Sequence, residues 1–286
     1  MLGGFPQPSK RASPPTPMPE LPEVETTRRG IAPALLHRSC TGAVVRNPRL
    51  RHPVPDDLDA TIRGLELGSV ERRAKYLVLR FATGSLLIHL GMSGSLRIVP
   101  ATTEPDKHDH LDILFGDTAL RLRDPRRFGL VLWQEGPAPH PLLAGLGIEP
   151  LNDDFDGAWL HRAGRGRKTP SKLFLMDGHQ VVGIGNIYAS ESLFRAGIDP
   201  VTPIGELGPR RCARLVACIR ETLQNALAAG GSTLRDFVSS DGAPGYFQQQ
   251  YFVYGRAGEP CRKCATPIRK RIMGQRATFF CPRCQR

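Results

Sequence analysis

The chain contains, from Ala74 to Val99, the stretch AKYLVLRFATGSLLIHLGMSGSLRIV, which has the pattern of three β-strands joined by short turns. Its apolar residues occur in short runs, and the turn-forming sequences ATGS and GMSGS separate them. Three further runs of the same kind, HLDILF, ALRLRD and GLVLWQ, continue the pattern to Gln134. Six or more short strands at this spacing predict a β-sandwich or barrel.

On the N-terminal side of these strands, residues 21–36 have the pattern of an amphipathic helix. Val24, Ile31 and Leu35 recur at helical spacing. Pro22 suits the first helical turn, where its missing N–H costs nothing. Acidic residues come first and basic residues follow, as the helix dipole favours. We therefore expect a helix to precede the strands.

After the strands, the proline- and glycine-rich stretch EGPAPHPLLAGLGIEP (135–150) marks a boundary. Four segments with helical patterns follow it: DFDGAWLHRA, TPSKLFLMDG, NIYASESLFRAGI and GPRRCARLVACIRETLQNALAAGG. We expect three domains, at residues 18–146, 147–240 and 241–286. The first is the strand-rich domain, the second is helical, and the third holds the end of a loop and a cysteine-rich module.

The cysteine-rich module contains two C-x2-C pairs, CRKC and CPRC, separated by sixteen residues. The pairs supply Cys261, Cys264, Cys281 and Cys284. Two such pairs can complete a tetrahedral site, which is typical of one structural zinc ion. Two disulfides are the alternative, and an intracellular setting disfavours them. So small a module cannot build a core, so the metal would supply its folding free energy.

The composition favours a polyanionic partner. The 286 residues include 39 Lys and Arg against 27 Asp and Glu, so the net charge is +12 and the pI is about 9.8. Nucleic acid is the first candidate, and a solvated basic surface is the alternative. No run approaches the ~18 apolar residues of a membrane span. We expect a soluble, cytoplasmic monomer with no membrane partner.

The first 17 residues, MLGGFPQPSKRASPPTP, contain five prolines and almost no apolar periodicity. Such a composition cannot bury enough surface to offset its ordering entropy. It also lacks the continuous apolar core of a signal peptide. Because a second Met-Pro follows at Met18 and Pro19, we expect a disordered leader at 1–17, a mis-assigned start, and a working chain that begins at Met18.

Nine motifs together resemble bacterial formamidopyrimidine-DNA glycosylases: MPELPEVETTRRG, RRAKYL, HLGMSGSLR, KHDH, DPRRFG, VVGIGNIYASESLF, SDGAPGYF, VYGRAGEPC and QRATFFCPRC. The resemblance runs in order from Met18 to the C-terminus. It implies an α+β multidomain fold: a β-sandwich with an N-terminal helix, a helix–two-turns–helix domain and a four-cysteine zinc-finger hairpin. It implies excision of oxidised purines, 8-oxoguanine and formamidopyrimidines, from damaged double-stranded DNA, followed by β,δ-elimination at the abasic site.

The resemblance also implies roles for five residues. Pro19, once terminal, is the nucleophile, and its secondary amine forms an iminium ion with the sugar. Glu20 is the general acid–base carboxylate, and Glu23 supports it. Lys75 contacts phosphate and assists β-elimination, and Arg276 clamps phosphates and serves δ-elimination. The plain alternatives are a helix start for Pro19, a helix cap for Glu20 and a solvated strand lysine for Lys75.

Six further residues match DNA contacts of the family: Met92, Arg126, Phe128, His108, Arg167 and Asn186. Flipping a base costs a few kcal/mol, and the first three would fill the gap that it leaves. Sandwich core is the alternative for Met92 and Phe128. Arg167 stands where the family usually has lysine. The glycines of GIGNIYA, around Asn186, would let backbone amides approach a phosphate.

The loop SSDGAPGYFQQQ matches the family's lesion-capping loop. Gly242 and Gly245 would make it mobile, and Tyr246 and Phe247 would lie against the flipped base. Two other functions stay open on the sequence. One is an endonuclease VIII-like glycosylase for oxidised pyrimidines, and the other is a non-catalytic, zinc-stabilised DNA-binding protein in which the leader is retained.

Overall fold

The computed structural model describes residues 18–230 and 251–286. Its larger sheets are built from eight strands: β1 Gly42–Val45, β2 Leu67–Arg73, β3 Tyr76–Phe81, β4 Gly84–His89, β5 Ser95–Pro100, β6 Asp109–Phe115, β7 Thr118–Arg123 and β8 Leu130–Glu135. They form two antiparallel sheets, with strand orders β2-β3-β4-β8 and β1-β6-β7-β5. The predicted β-sandwich is confirmed, and six of its strands lie in the runs identified from the sequence.

Helix α1, Leu21–Leu35, packs its apolar face into the sandwich core. Val24, Ile31 and Leu35 are all buried there, as their helical spacing predicts. The N–H of Leu21 donates to the carbonyl of Gly183 at 2.9 Å. The start of α1 therefore touches the helical part of the molecule while its body belongs to the sandwich.

The remaining helices are α2 Leu58–Ile62, α3 Pro141–Ala144, α4 Gly157–Gly164, α5 Ser171–Met176, α6 Asn186–Ala196 and α7 Pro209–Ala228. The four segments with helical patterns coincide with α4 to α7, although α4 ends one residue beyond its segment. A second apolar core joins these helices, and it includes Tyr188, Leu193, Leu215 and Ile219. The short helices α2 and α3 were not predicted, because four or five residues show no period. Within the described residues, no helix is both long and apolar enough to cross a bilayer.

The C-terminal module contains an antiparallel hairpin of β9 Arg269–Met273 and β10 Arg276–Phe280. A small third core forms under it from Val253, Ile268 and two of the cysteines, together with Phe194 of α6. The mixed α+β fold class is thus confirmed. The predicted leader and the whole of the predicted lesion-capping loop, including Tyr246 and Phe247, lie outside the described residues.

Candidate active site and nucleic-acid interface

Glu20 lies at the junction of the sandwich and the helical core and is 1% exposed. Its carboxylate accepts hydrogen bonds from three N–H groups at the start of α6: Gly185 at 2.7 Å, Ile187 at 2.9 Å and Tyr188 at 3.3 Å. A helix N-terminus favours a negative group in this way. The amides that the GIGNIYA motif was expected to offer to a phosphate therefore bind this carboxylate. A Cβ on Gly185 would lie 2.5 Å from Glu20 Oε1, which explains the glycine.

Glu23 connects the backbone of Glu20 to the helical core. Its Oε2 accepts a hydrogen bond from the N–H of Glu20 at 2.8 Å, and its Oε1 accepts one from the hydroxyl of Tyr188 at 2.6 Å. The bond from the Glu20 N–H belongs to a capping box, in which the glutamate lies three residues after the cap position. Pro19, which directly precedes Glu20 in the chain, is also buried. Glu20 is thus held from two sides, by Glu23 of α1 through its backbone N–H and by the start of α6 through its carboxylate.

Lys75 lies in the two-residue turn between β2 and β3, not within a strand. Its neighbour Ala74 has φ +55°, and the Ala74 N–H donates to Glu149 Oε1 at 2.7 Å, which holds the turn. Burial lowers the pKa of Lys75, the charges of Glu20 and Glu23 raise it, and Arg276 lowers it. These electrostatic effects place Lys75 near Glu20, Glu23 and Arg276.

Lys172 of α5 was not among the predicted site residues. It is fully buried, and its Nζ donates to Asn186 Oδ1 at 2.5 Å and to Thr278 Oγ1 at 2.6 Å. Asn186 in turn donates to the carbonyl of Ala277 at 2.9 Å. Burial lowers the pKa of Lys172 to about 8, against a smaller upward effect of Glu20. In the segment TPSKLFLMDG a lysine looks like a solvated helical residue, so only the contacts reveal it.

These contacts bring the hairpin to the start of α6. Lys172 and Asn186 hold Ala277 and Thr278 of β10, which directly follow Arg276. Arg276 itself is exposed. The structure therefore brings Pro19, Glu20, Glu23, Lys75, Asn186 and Arg276 into one region.

Two turns carry the residues predicted to fill the gap left by a flipped base. Ser93 Oγ donates to Asp124 Oδ1 at 2.7 Å, which joins the turn of Met92 to the turn of Arg126 and Phe128. The guanidinium of Arg126 lies 5.0 Å from the centre of the Phe128 ring. Phe128 is 44% exposed and Met92 is half-buried, so a core position is wrong for Phe128.

His108 lies beside this pair of turns, because its carbonyl accepts a hydrogen bond from the N–H of Asp124 at 3.0 Å. Arg167 is elsewhere, in the loop between α4 and α5, where it stacks on Phe174 at 5.7 Å. A further histidine, His89 of β4, was not predicted. Burial, together with the charges of Lys75 and Arg51, lowers the pKa of His89 to about 4. It is therefore neutral at physiological pH.

The four cysteines of the C-terminal module form one cluster, in which all four sulfur atoms lie within 4.8 Å of one another. The separations of Cys264 Sγ from Cys281 Sγ and Cys284 Sγ are 3.5 and 3.4 Å, and Cys261 Sγ lies 3.9 Å from Cys284 Sγ. Sulfurs at 2.3 Å from a tetrahedral zinc ion are about 3.8 Å apart. The donor set therefore fits a structural metal ion, and the disulfide alternative is not supported because all four cysteines are free.

Three family models match the chain in order. The formamidopyrimidine-DNA glycosylase N-terminal domain matches residues 18–131, the formamidopyrimidine-DNA glycosylase H2TH domain matches 146–238, and the zinc finger found in FPG and IleRS matches 258–286. A formamidopyrimidine-DNA glycosylase from Aromatoleum aromaticum is 65% identical over 270 residues, covering 94% of this chain and all of the relative.

Solved structures agree with these matches. The chain is similar to Lactococcus lactis Fpg in complex with DNA containing an abasic site, with TM-score 0.86 and 33% identity, covering 93% of this chain and 99% of that one. A second structure of the same protein, in complex with DNA containing Fapy-dG, has TM-score 0.85 and 32% identity, covering 93% of this chain and 100% of that one.

Proposed function

The chain belongs to the formamidopyrimidine-DNA glycosylase family, and on that premise we propose that it excises 8-oxoguanine and formamidopyrimidines from duplex DNA in base-excision repair. The Lactococcus relatives bound to abasic and Fapy-dG DNA support this substrate class. The observation that carries the proposal is the buried carboxylate of Glu20, next to Pro19 and near the ammonium of Lys75. The relatives' names do not favour the endonuclease VIII-like alternative.

The proposed reaction begins at Pro19. Its secondary amine, once no residue precedes it, forms a bond to C1′ while Glu20 protonates the ring oxygen and the C1′–O4′ bond opens. The glycosidic bond then breaks, and the base leaves with the amine proton, so that an iminium ion remains. The cation acidifies the C2′ proton, so its loss expels the 3′ phosphate. A second elimination expels the 5′ phosphate, which makes the enzyme an abasic-site lyase as well as a glycosylase.

The cations around this centre bind the DNA backbone in the proposed complex. Lys75 contacts the phosphate that leaves first, and Arg276 of β10 clamps the phosphates that flank the lesion. Burial of Lys75 lowers its pKa, which supports a second role in moving a proton during β-elimination. His108, Arg167 and Asn186 add contacts to the DNA.

The two joined turns would take the place of the flipped base. Phe128 is exposed on one turn with the guanidinium of Arg126 beside it, and Met92 lies on the other. Apolar and cationic side chains of this kind can occupy the gap in the base stack. Filling the gap offsets part of the few kcal/mol that unstacking costs.

We further propose that Cys261, Cys264, Cys281 and Cys284 hold one zinc ion. When bound, the ion would supply folding free energy to the hairpin and no chemistry. The domains are proposed at 18–146, 147–240 and 241–286, and the protein is proposed to act as a cytoplasmic monomer on damaged DNA.

Trapping with borohydride tests the reaction, because reduction of an iminium ion leaves a covalent protein–DNA adduct. A chain that begins at Met18, with the methionine removed, should be trapped on 8-oxoguanine or abasic duplex, and the adduct should map to Pro19. The matched control keeps residues 1–17, confirmed by mass, and should bind DNA without being trapped, since an amide nitrogen is not a nucleophile. Equal trapping of both forms would exclude Pro19 and favour a lysine such as Lys75.

A further inference from the structure

A cleft of about 470 Å³ opens at the edge of the sandwich, between residues 46–49 and residues 105–110. Asp124 ties the second wall to the turn that carries Arg126 and Phe128. Its N–H donates to the carbonyl of His108 at 3.0 Å, and its carbonyl accepts a hydrogen bond from His110 Nε2 at 2.9 Å. The cleft therefore lies beside the proposed DNA-binding turns but contributes nothing to the reaction described above.

The free charge in this cleft is positive. Both lining carboxylates are paired: Asp106 with Arg123 at 3.0 Å and Asp109 with Arg97 at 2.9 Å. Arg46 is also paired, with Asp112 at 2.5 Å. By contrast, Arg49 and Lys107 are exposed, one on each wall, and neither has an ion-pair partner within residues 18–230 and 251–286. Two unpaired cations facing one cleft favour an anion.

The walls of the cleft are held in place by their own hydrogen bonds. Asn47 Oδ1 accepts from the N–H of Arg49 at 3.1 Å, and Asp109 Oδ2 accepts from the N–H of Asp106 at 2.9 Å. Pro48 and Pro105, which also line the cleft, each have a fixed φ. A ligand would therefore order little more than the two cationic side chains, which keeps the entropic cost of binding low.

We propose that this cleft binds one backbone phosphate of the DNA duplex, held by the guanidinium of Arg49 and the ammonium of Lys107. The inference rests on the proposed function, because DNA is then the substrate and the adjoining turn enters it. Because Asp124 connects one wall of the cleft to the turn of Phe128, a duplex whose stack is entered by Phe128 would bring backbone phosphates close to the cleft. Free inorganic phosphate offers similar chemistry, but nothing else in the open cleft would retain so small an ion.

The first test is the salt dependence of binding to an undamaged duplex. Replacing both cations in the double variant Arg49→Gln, Lys107→Gln should make the negative slope of log K against log salt less steep by about one unit, since one phosphate is no longer neutralised. The matched variant Arg49→Lys, Lys107→Arg keeps both charges and should keep the slope. All three proteins should melt at the same temperature, because neither side chain has a partner to lose. An unchanged slope in the glutamine variant overturns the proposal.

The second test identifies the phosphate. Single methylphosphonate linkages, which are uncharged, are introduced one at a time along the duplex. One linkage should weaken binding of the native protein and the charge-keeping variant but not of the glutamine variant. The proposal fails if every linkage acts equally on all three proteins. The proposal also fails if inorganic phosphate displaces DNA from the native protein more strongly than another salt of equal ionic strength does, and if this difference is lost in the glutamine variant. Lesion excision is measured separately, so loss of excision with this pattern intact contradicts only the proposed function.

Discussion

Glu20 is a side chain whose surroundings act on its pKa in opposite directions. Burial raises the pKa most, the ammonium of Lys75 lowers it, and the charge of Glu23 raises it. Hydrogen bonds from Ile187 and Gly185 lower it further, but the net change is upward. The carboxyl group therefore keeps its proton to a higher pH than an ordinary glutamate, as a general acid requires.

We expect Glu20→Gln to slow base excision by about 10²–10⁴-fold, since the amide cannot deliver a proton, and to spare cleavage of a preformed abasic site. Native excision should also decline as the pH rises through the raised pKa, because the acid form is lost. The variant should lack that decline. Single-turnover rates on 8-oxoguanine and abasic duplexes across pH measure both effects, and an equal loss on the two substrates would indicate a structural role.

Lys172 links a buried charge to stability. Its folded pKa of about 8 lies below its ordinary value of 10.5, so between these values the unfolded chain holds a proton that the folded chain has released. The free energy of unfolding must therefore rise with pH in that interval. Relative to the variant Lys172→Met, the free energy of unfolding of the native protein should increase by about 1–3 kcal/mol across that pH interval. Below the interval, the difference between the two proteins should not change with pH. Urea titrations of both proteins at several pH values test this, and a constant difference would contradict it.

At the level of elements, the turns of Met92 and Phe128 depend on close packing against each other. The Gly129 N–H donates to Asp124 Oδ2 at 2.8 Å, and Gly91 has φ +63°. A Cβ on Gly91 would lie 2.5 Å from the Gly129 nitrogen. Only glycine both adopts this conformation freely and leaves room for the second turn.

Gly91→Ala should destabilise the protein by more than the ~1–3 kcal/mol that a strained backbone conformation costs, because the clash adds to the strain. The matched control is Gly136→Ala, where φ is +73° but no atom lies within 4 Å of a new Cβ. The control should lose only the strain energy. Thermal unfolding compares the two, and affinity for an abasic duplex should fall in Gly91→Ala alone. Equal losses of stability in the two variants would mean that close packing between the turn of Met92 and the turn of Phe128 contributes nothing.

For the whole molecule, the proposed DNA-binding surface is assembled from three separate cores. The sandwich supplies the turns and Lys75, the helical core supplies α6, and the C-terminal module supplies Arg276. The cysteine cluster shares no residue with the sandwich core. Loss of the metal should therefore remove one part of the surface without unfolding the rest.

The native protein should contain about one zinc ion per chain, and Cys281→Ser should lose it, because three thiolates do not complete the site. DNA affinity should fall with it, since β10 carries Arg276. The control is Cys212→Ser, a buried cysteine of the helical core, which should keep its zinc. Metal analysis and DNA titration are the readouts, with fluorescence of Trp133 and Trp159 reporting on the sandwich and the helical core. Full DNA binding by zinc-free protein would contradict a structural role for the metal.

Local patterns in the sequence determined the elements of this protein. Alternating apolar runs with turn residues between them predicted the sandwich strands, helical spacing predicted α1 and α4 to α7, and C-x2-C spacing predicted the cysteine cluster. Each of these signals depends on residues that are close in the chain. Membership of the glycosylase family could also be inferred from motifs in order, whereas the roles of Pro19, Glu20 and the DNA contacts stay predictions.

Only the tertiary structure decided which groups meet. Glu20 and the amides of α6 are about 165 residues apart, and Lys172 and Thr278 are 106 apart, so no local pattern connects them. In the structure Lys75 lies in a turn and not in a strand, and the backbone amides of GIGNIYA bind the carboxylate of Glu20. Burial depends on such distant contacts, and burial in turn shifts the pKa values of Glu20, Lys75 and Lys172. Chain spacing fixes periodicity, but proximity and desolvation arise only when distant segments pack together.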